Sequence, residues 1–85
     1  MNWAVVVAKS ARKKLAKFPA KDRSRILEGL ESMAADPFSG DIIKLEDKGD
    51  RWRRRIGEYR VFFSVDKPSR VVVISAIERR TSTTY

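Results

Sequence analysis

Histidine and cysteine are both absent from these 85 residues. Without cysteine there are no disulfides, zinc knuckles, iron–sulfur sites or thiol nucleophiles. Without histidine the commonest metal ligand and the commonest general base are missing. Serine-triad hydrolases and zinc enzymes are therefore excluded, and neither a metal nor another cofactor is expected. The longest uncharged run, residues 1–8, is eight residues long, against the roughly 18 needed to span a bilayer. No basic, apolar and small-residue segments follow one another as in a secretory signal. The expectation is one cytoplasmic domain over residues 1–85, without membrane contact and with a single small core.

What the chain has in excess is positive charge. Nineteen Lys and Arg face eleven Asp and Glu, a net +8, which suits a polyanionic partner such as nucleic acid or an acidic protein segment. The charge is segregated. Residues 1–21 carry six bases and no acid, residues 22–50 four bases and eight acids, and residues 51–85 nine bases and three acids.

The β-branched and aromatic opening, residues 2–8, predicts a strand. Ser10 is placed to cap a short helix whose apolar positions are Ala11, Leu15 and Phe18. Pro19 stops that helix and opens a second over about 20–35, with Ile26, Leu27, Leu30, Met33 and Ala34 on one stripe. Asp36-Pro37 ends it. A brief extended stretch at 42–45 and a polar turn at 46–50 follow. Three strands are then predicted over 51–56, 59–65 and 70–77. Gly57-Glu58 matches a type II′ hairpin, and residues 66–69 form the next turn. The class is α+β, with two N-terminal helices packed on one face of a small, mainly antiparallel sheet.

Strand alternation then separates the arginines. Tyr59, Val61, Phe63 and Val65 form the face toward the helices. Arg51, Arg53 and Arg55, together with Arg60 and Phe62, take the opposite face if the hairpin is tight. Arg54 is sent to the helix side, where it would snorkel or lie at a sheet edge. Forked, permanently charged guanidiniums on one face match phosphate oxygens.

The series Lys44-Leu45, Trp52-Arg53-Arg54-Arg55-Ile56-Gly57-Glu58-Tyr59-Arg60-Val61, Val71-Val72-Val73-Ile74 and Glu78-Arg79-Arg80 resembles the RelE/ParE superfamily of toxins from bacterial and archaeal toxin–antitoxin pairs. The resemblance covers almost the whole chain. It implies the RelE-like microbial RNase fold. For the RelE branch it also implies a metal-independent, ribosome-dependent endoribonuclease that cuts mRNA in the A site. There the ribose 2′-OH attacks the adjacent phosphate and leaves a 2′,3′-cyclic phosphate. By that resemblance the catalytic roles fall to Arg53, Arg55, Arg60, Arg79 and Tyr85. Contacts to RNA would come from Lys44, Lys48, Arg51, Phe62 and Arg80, with Phe62 either a stacking platform or a partner-facing hydrophobe.

The chain departs from that pattern in one respect. Well-known ribonuclease members carry Lys where this sequence has Arg53 and Arg55, and arginine does not act as a base. The proton acceptor is then Tyr85, Lys44, Lys48 or a water. The implied partners are the ribosome, mRNA and a cognate antitoxin with an acidic amphipathic segment. Two alternatives remain at this stage: a ParE-like toxin that inhibits DNA gyrase without cutting RNA, and a non-catalytic basic binding module.

Overall fold

Alternation of apolar and polar residues lays down the sheet, and the helices cover its apolar side. In a computed structural model of the chain, residues 2–45 and 51–79 are described. Among them the elements run β1 (Ala4–Val7), α1 (Lys9–Ala16), α2 (Ala20–Ala35), β2 (Ile42–Lys44), β3 (Arg51–Ile56), β4 (Tyr59–Asp66) and β5 (Val71–Arg79). The five strands form one sheet in the order β1-β5-β4-β3-β2. β2, β3, β4 and β5 pair antiparallel in succession. β1 instead joins β5 in parallel, with Val5 beside Val72 and Val7 beside Ile74. The chain must therefore cross over between β1 and the meander, and the two helices make that crossing on one face of the sheet.

The core forms between that face and the helices. Tyr59, Val61, Phe63 and Val65 are buried on β4, with Val72, Ile74 and Ile77 on β5 and Ile56 on β3. Ile26, Leu30 and Met33 of α2 and Ala11 and Leu15 of α1 meet them. α2 packs over β1 and β3, and α1 covers the part of β5 that β1 is too short to reach. The helix caps differ from expectation. α1 starts after Ala8, so Ser10 lies inside its first turn, while Pro19 occupies the N-cap of α2.

Gly57 has φ +59 and is the one residue of its two-residue turn with positive φ, as a type II′ hairpin requires. That turn sets the tight β3–β4 register, with Ile56 opposite Tyr59 and Arg55 opposite Arg60. Arg54 takes the helix side, as alternation predicts, but it neither snorkels nor escapes over an edge. Its Nη1 donates to the Gly29 carbonyl at 3.2 Å and to Ser32 Oγ at 2.9 Å. Its Nε is buried without a partner. Gly40, at φ +86, leaves room for this guanidinium: a Cβ there would lie 2.7 Å from Arg54 Nε. The middle of β3 is thus tied to α2 while its neighbours on the strand face the other way.

A second tie sits at the hairpin end. The Tyr59 hydroxyl donates to Asp22 Oδ2 in the first turn of α2 at 2.6 Å. The Phe18 and Tyr59 rings stack beside it with centroids 4.6 Å apart. The hydrogen bond to Asp22, followed by burial, holds the Tyr59 pKa above its ordinary value of 10.0.

Two outcomes follow for stability. Gly40→Ala combines a left-handed backbone with a collision against Arg54, and should cost about 1–3 kcal/mol in urea unfolding. In an Arg54→Ala background the same change should cost less, because the collision is gone. Tyr59→Phe should cost about 1 kcal/mol near neutral pH. The unfolded chain ionises its tyrosine first, so the Tyr59 contribution is complete below pH 10 and lost as pH rises through the higher folded value. The gap between wild type and Tyr59→Phe should accordingly narrow in alkaline urea titrations.

Candidate nucleic-acid interface

On the face of the sheet away from the helices, register decides which side chains become neighbours. Arg55 stands directly across from Arg60, Arg53 across from Phe62, and Arg51 across from Ser64. Cross-strand partners share a face, with Cβ atoms about 4.5–5.5 Å apart. Four guanidiniums from two strands therefore share one uncovered surface, with Ile43 of β2 beside Arg53. Arg51 and Arg55 are exposed, and Arg53 and Arg60 are half-buried. Like charges opposite one another on a sheet are destabilising. The tight hairpin imposes this contact, and an anion placed between the forks would relieve it.

The β1–β5 edge of this face is apolar. Ala4 and Val6 of β1 lie beside Val71 and Val73 of β5, and Val6 is 50 % exposed. Phe62 separates this edge from the arginines, between Arg53 on β3 and Ala76 on β5. The aromatic pairs among the described residues, Trp3–Phe38, Phe38–Trp52 and Phe18–Tyr59, do not include it.

A bulge beside Phe62 changes what β5 contributes. Phe62 pairs with Ala76 and Phe63 with Ile74, leaving Ser75 as the extra residue. The Ser75 hydroxyl donates to the Phe62 carbonyl at 3.2 Å. One extra residue inverts the alternation beyond it. Ile77 thereby returns to the core, Glu78 comes to the open face opposite Arg60, and Arg79 is placed opposite Tyr59, toward the helices. The Arg79 charge is close enough to Tyr59 to favour its ionised form, against the larger effect of Asp22.

The expected site residues thus divide. Arg51, Arg53, Arg55, Arg60 and Phe62 come together on the open face. Arg79 shares their end of the sheet but takes the opposite face, because the bulge intervenes. Lys44 is also separated from them: it pairs with Trp52 on the helix side and holds its Nζ 5.9 Å from the Trp52 ring centre. Lys48, Arg80 and Tyr85 lie outside the described residues. Sequence reading missed Glu78 as a member of the open face. The one signal for it is the spacing of the deeply buried β5 residues, Val72, Ile74 and Ile77, which changes from two to three. Val71 and Val73 obscure that signal by making the whole strand apolar. Among the described residues no group of three or more acidic side chains forms a metal site, and no helix is long and apolar enough to cross a membrane.

Comparison with known proteins agrees with this architecture. Residues 5–83 match the family described as the ParE toxin of the type II toxin–antitoxin system parDE. The chain is 29% identical over 83 residues to the Methanocaldococcus jannaschii protein designated RelE1, covering 94% of this chain and 92% of that one. Its structure superimposes on a chain of the archaeal RelE–RelB complex from Pyrococcus horikoshii with a TM-score of 0.84 and 32% identity, over 98% of this chain and 100% of the other. The same fold recurs in isolated Escherichia coli RelE, with a TM-score of 0.81 and 17% identity over 95% and 87% of the two chains. With the family match spanning nearly its full length and four of the meander arginines, Arg51, Arg53, Arg55 and Arg60, on one open face, the chain belongs to the RelE/ParE superfamily of toxins from type II toxin–antitoxin pairs.

Proposed function

We propose that this toxin is a metal-independent, ribosome-dependent endoribonuclease that cuts mRNA in the A site, and that the open arginine face is its active surface. The observation that carries the reading is the direct pairing of Arg55 with Arg60, flanked by Arg53 on the same face. Attack by a ribose 2′-OH on the adjacent phosphate builds negative charge on a pentavalent phosphorus. Fixed cations aimed at that charge stabilise it more than the ground state, because nothing has to reorganise. Arg55 and Arg60 grip the scissile phosphate, and Arg53 and Arg51 hold the flanking backbone. Arg79 and Tyr85 act from the C-terminal side, Arg79 from the rim of the sheet beside Tyr59. The products are a 2′,3′-cyclic phosphate and a free 5′-hydroxyl.

The reading is supported by the likeness to a chain of the archaeal RelE–RelB complex of Pyrococcus horikoshii. A cognate antitoxin partner follows from the same likeness, and the cytoplasm is the proposed place of action. An acidic, amphipathic antitoxin segment suits a face that joins guanidiniums to an apolar edge. Charge complementarity would make their association fast and salt-sensitive. One observation favours a second reading: the matching family is described by the ParE toxin. On that reading the same basic surface would contact DNA gyrase and no RNA would be cut.

Arg60→Ala should reduce cleavage of ribosome-bound message by about 10²–10³-fold, the usual loss on removing one donor to a developing oxyanion, without lowering the melting temperature. Mapping transcript 5′ ends after induction checks this. Wild type should give cuts within translated messages that Arg60→Ala lacks. Growth arrest with intact messages and cleaved DNA–gyrase complexes would establish the second reading instead.

A further inference from the structure

We propose that Glu78 is the general base that removes the proton from the attacking 2′-hydroxyl. The inference rests on the nuclease reading above and assigns the proton acceptor to Glu78 in place of Tyr85, Lys44, Lys48 or a water. Arginine stays charged at working pH, and neither histidine nor cysteine occurs in the chain. The gripping residues therefore stabilise charge without accepting a proton. Glu78 is the carboxylate that the ladder holds against them, directly across from Arg60.

Other described acids near the sheet are less well placed. Asp66 shares the open face but lies at the far end of β4, where it accepts the Ser69 hydroxyl at 2.7 Å. Glu58 stands in the hairpin turn, off the ladder. Asp22 is engaged by Tyr59 on the helix side. Glu78 is exposed, and it also borders a hollow of about 210 Å³ between α1 and the end of β5, with Ser10, Lys14 and Ala76 among the lining residues. Arg60 from β4 and Lys14 from α1 are thus the cations on its two sides. Both would draw an RNA phosphate toward this carboxylate. Strand pairing on one side and α1 on the other place Glu78 at this border of the face.

In the step itself, the 2′-hydroxyl proton passes to a Glu78 carboxylate oxygen as the 2′-oxygen bonds to phosphorus. The bond from phosphorus to the 5′-oxygen breaks, and that oxygen takes a proton from water. The hydroxide so formed recombines with the proton on Glu78, which restores the carboxylate.

The test uses the full chain and ribosomes programmed with a defined message, measured under single-turnover conditions. Glu78→Gln should slow cutting by about 10²–10⁴-fold, the usual contribution of a general base, with melting temperature and ribosome binding unchanged. Glu78→Asp should keep part of the rate. Formate should restore part of the activity of Glu78→Ala, since it supplies the missing carboxylate to the space vacated. Cutting by Glu78→Gln at the wild-type rate would overturn the assignment while leaving the nuclease reading intact. A loss that matches weakened ribosome binding and does not respond to formate would also overturn it. If wild type arrests growth but cuts no message, the nuclease reading and this assignment fall together.

Discussion

The repulsion between guanidiniums held on one uncovered sheet face is the constraint around which this molecule is organised. Arg55 and Arg60 stand opposite one another because the Gly57 turn fixes the register that pairs them. A surface that strains against itself in this way is stabilised by any anion that enters it. The strain is tolerable because the opposite side of the same strands is well packed. Tyr59, Val61, Phe63 and Val65 bury against two helices on one side while Arg60 and Phe62 face solvent on the other. A strand that must serve both faces cannot shift register by one residue without placing charge in the core.

Arg54 shows how the fold keeps the charged strand from shifting. Alternation sends it inward between two outward arginines, and a buried guanidinium without partners would be costly. It is met by a carbonyl and a hydroxyl of α2, while Gly40 leaves the space it fills. The Tyr59–Asp22 hydrogen bond performs the corresponding task at the hairpin end. Both ties run from α2 to the meander, so the helix that closes the core also determines how firmly the arginine face is presented.

The bulge at Ser75 gives β5 two personalities. Before it the strand follows the simple alternation that packs Val72 and Ile74 inward; after it the pattern inverts. That single inserted residue exchanges the fates of Glu78 and Arg79. It places a carboxylate among the open-face arginines and an arginine beside Tyr59. On the proposed nuclease reading, a surface built from cations alone would bind phosphate strongly, and the carboxylate that the bulge brings to its border would supply a proton acceptor.

Much of this was legible in the residues. The period-two pattern of β4, the Gly57-Glu58 turn and the apolar stripe of α2 specify the meander, its tight register and the helix that covers it. The grouping of Arg53, Arg55 and Arg60 follows from them. These are local properties, carried by neighbours in the chain and by the alternation of side chains along an extended backbone. The parallel docking of β1 on β5, the hydrogen bonds that Arg54 makes with α2, and the exchange of Glu78 with Arg79 were decided only in three dimensions. Each depends on groups far apart in sequence, or on a backbone irregularity inside a strand that is apolar on both faces. There, hydrophobic pattern does not distinguish one register from the next, and packing makes the choice.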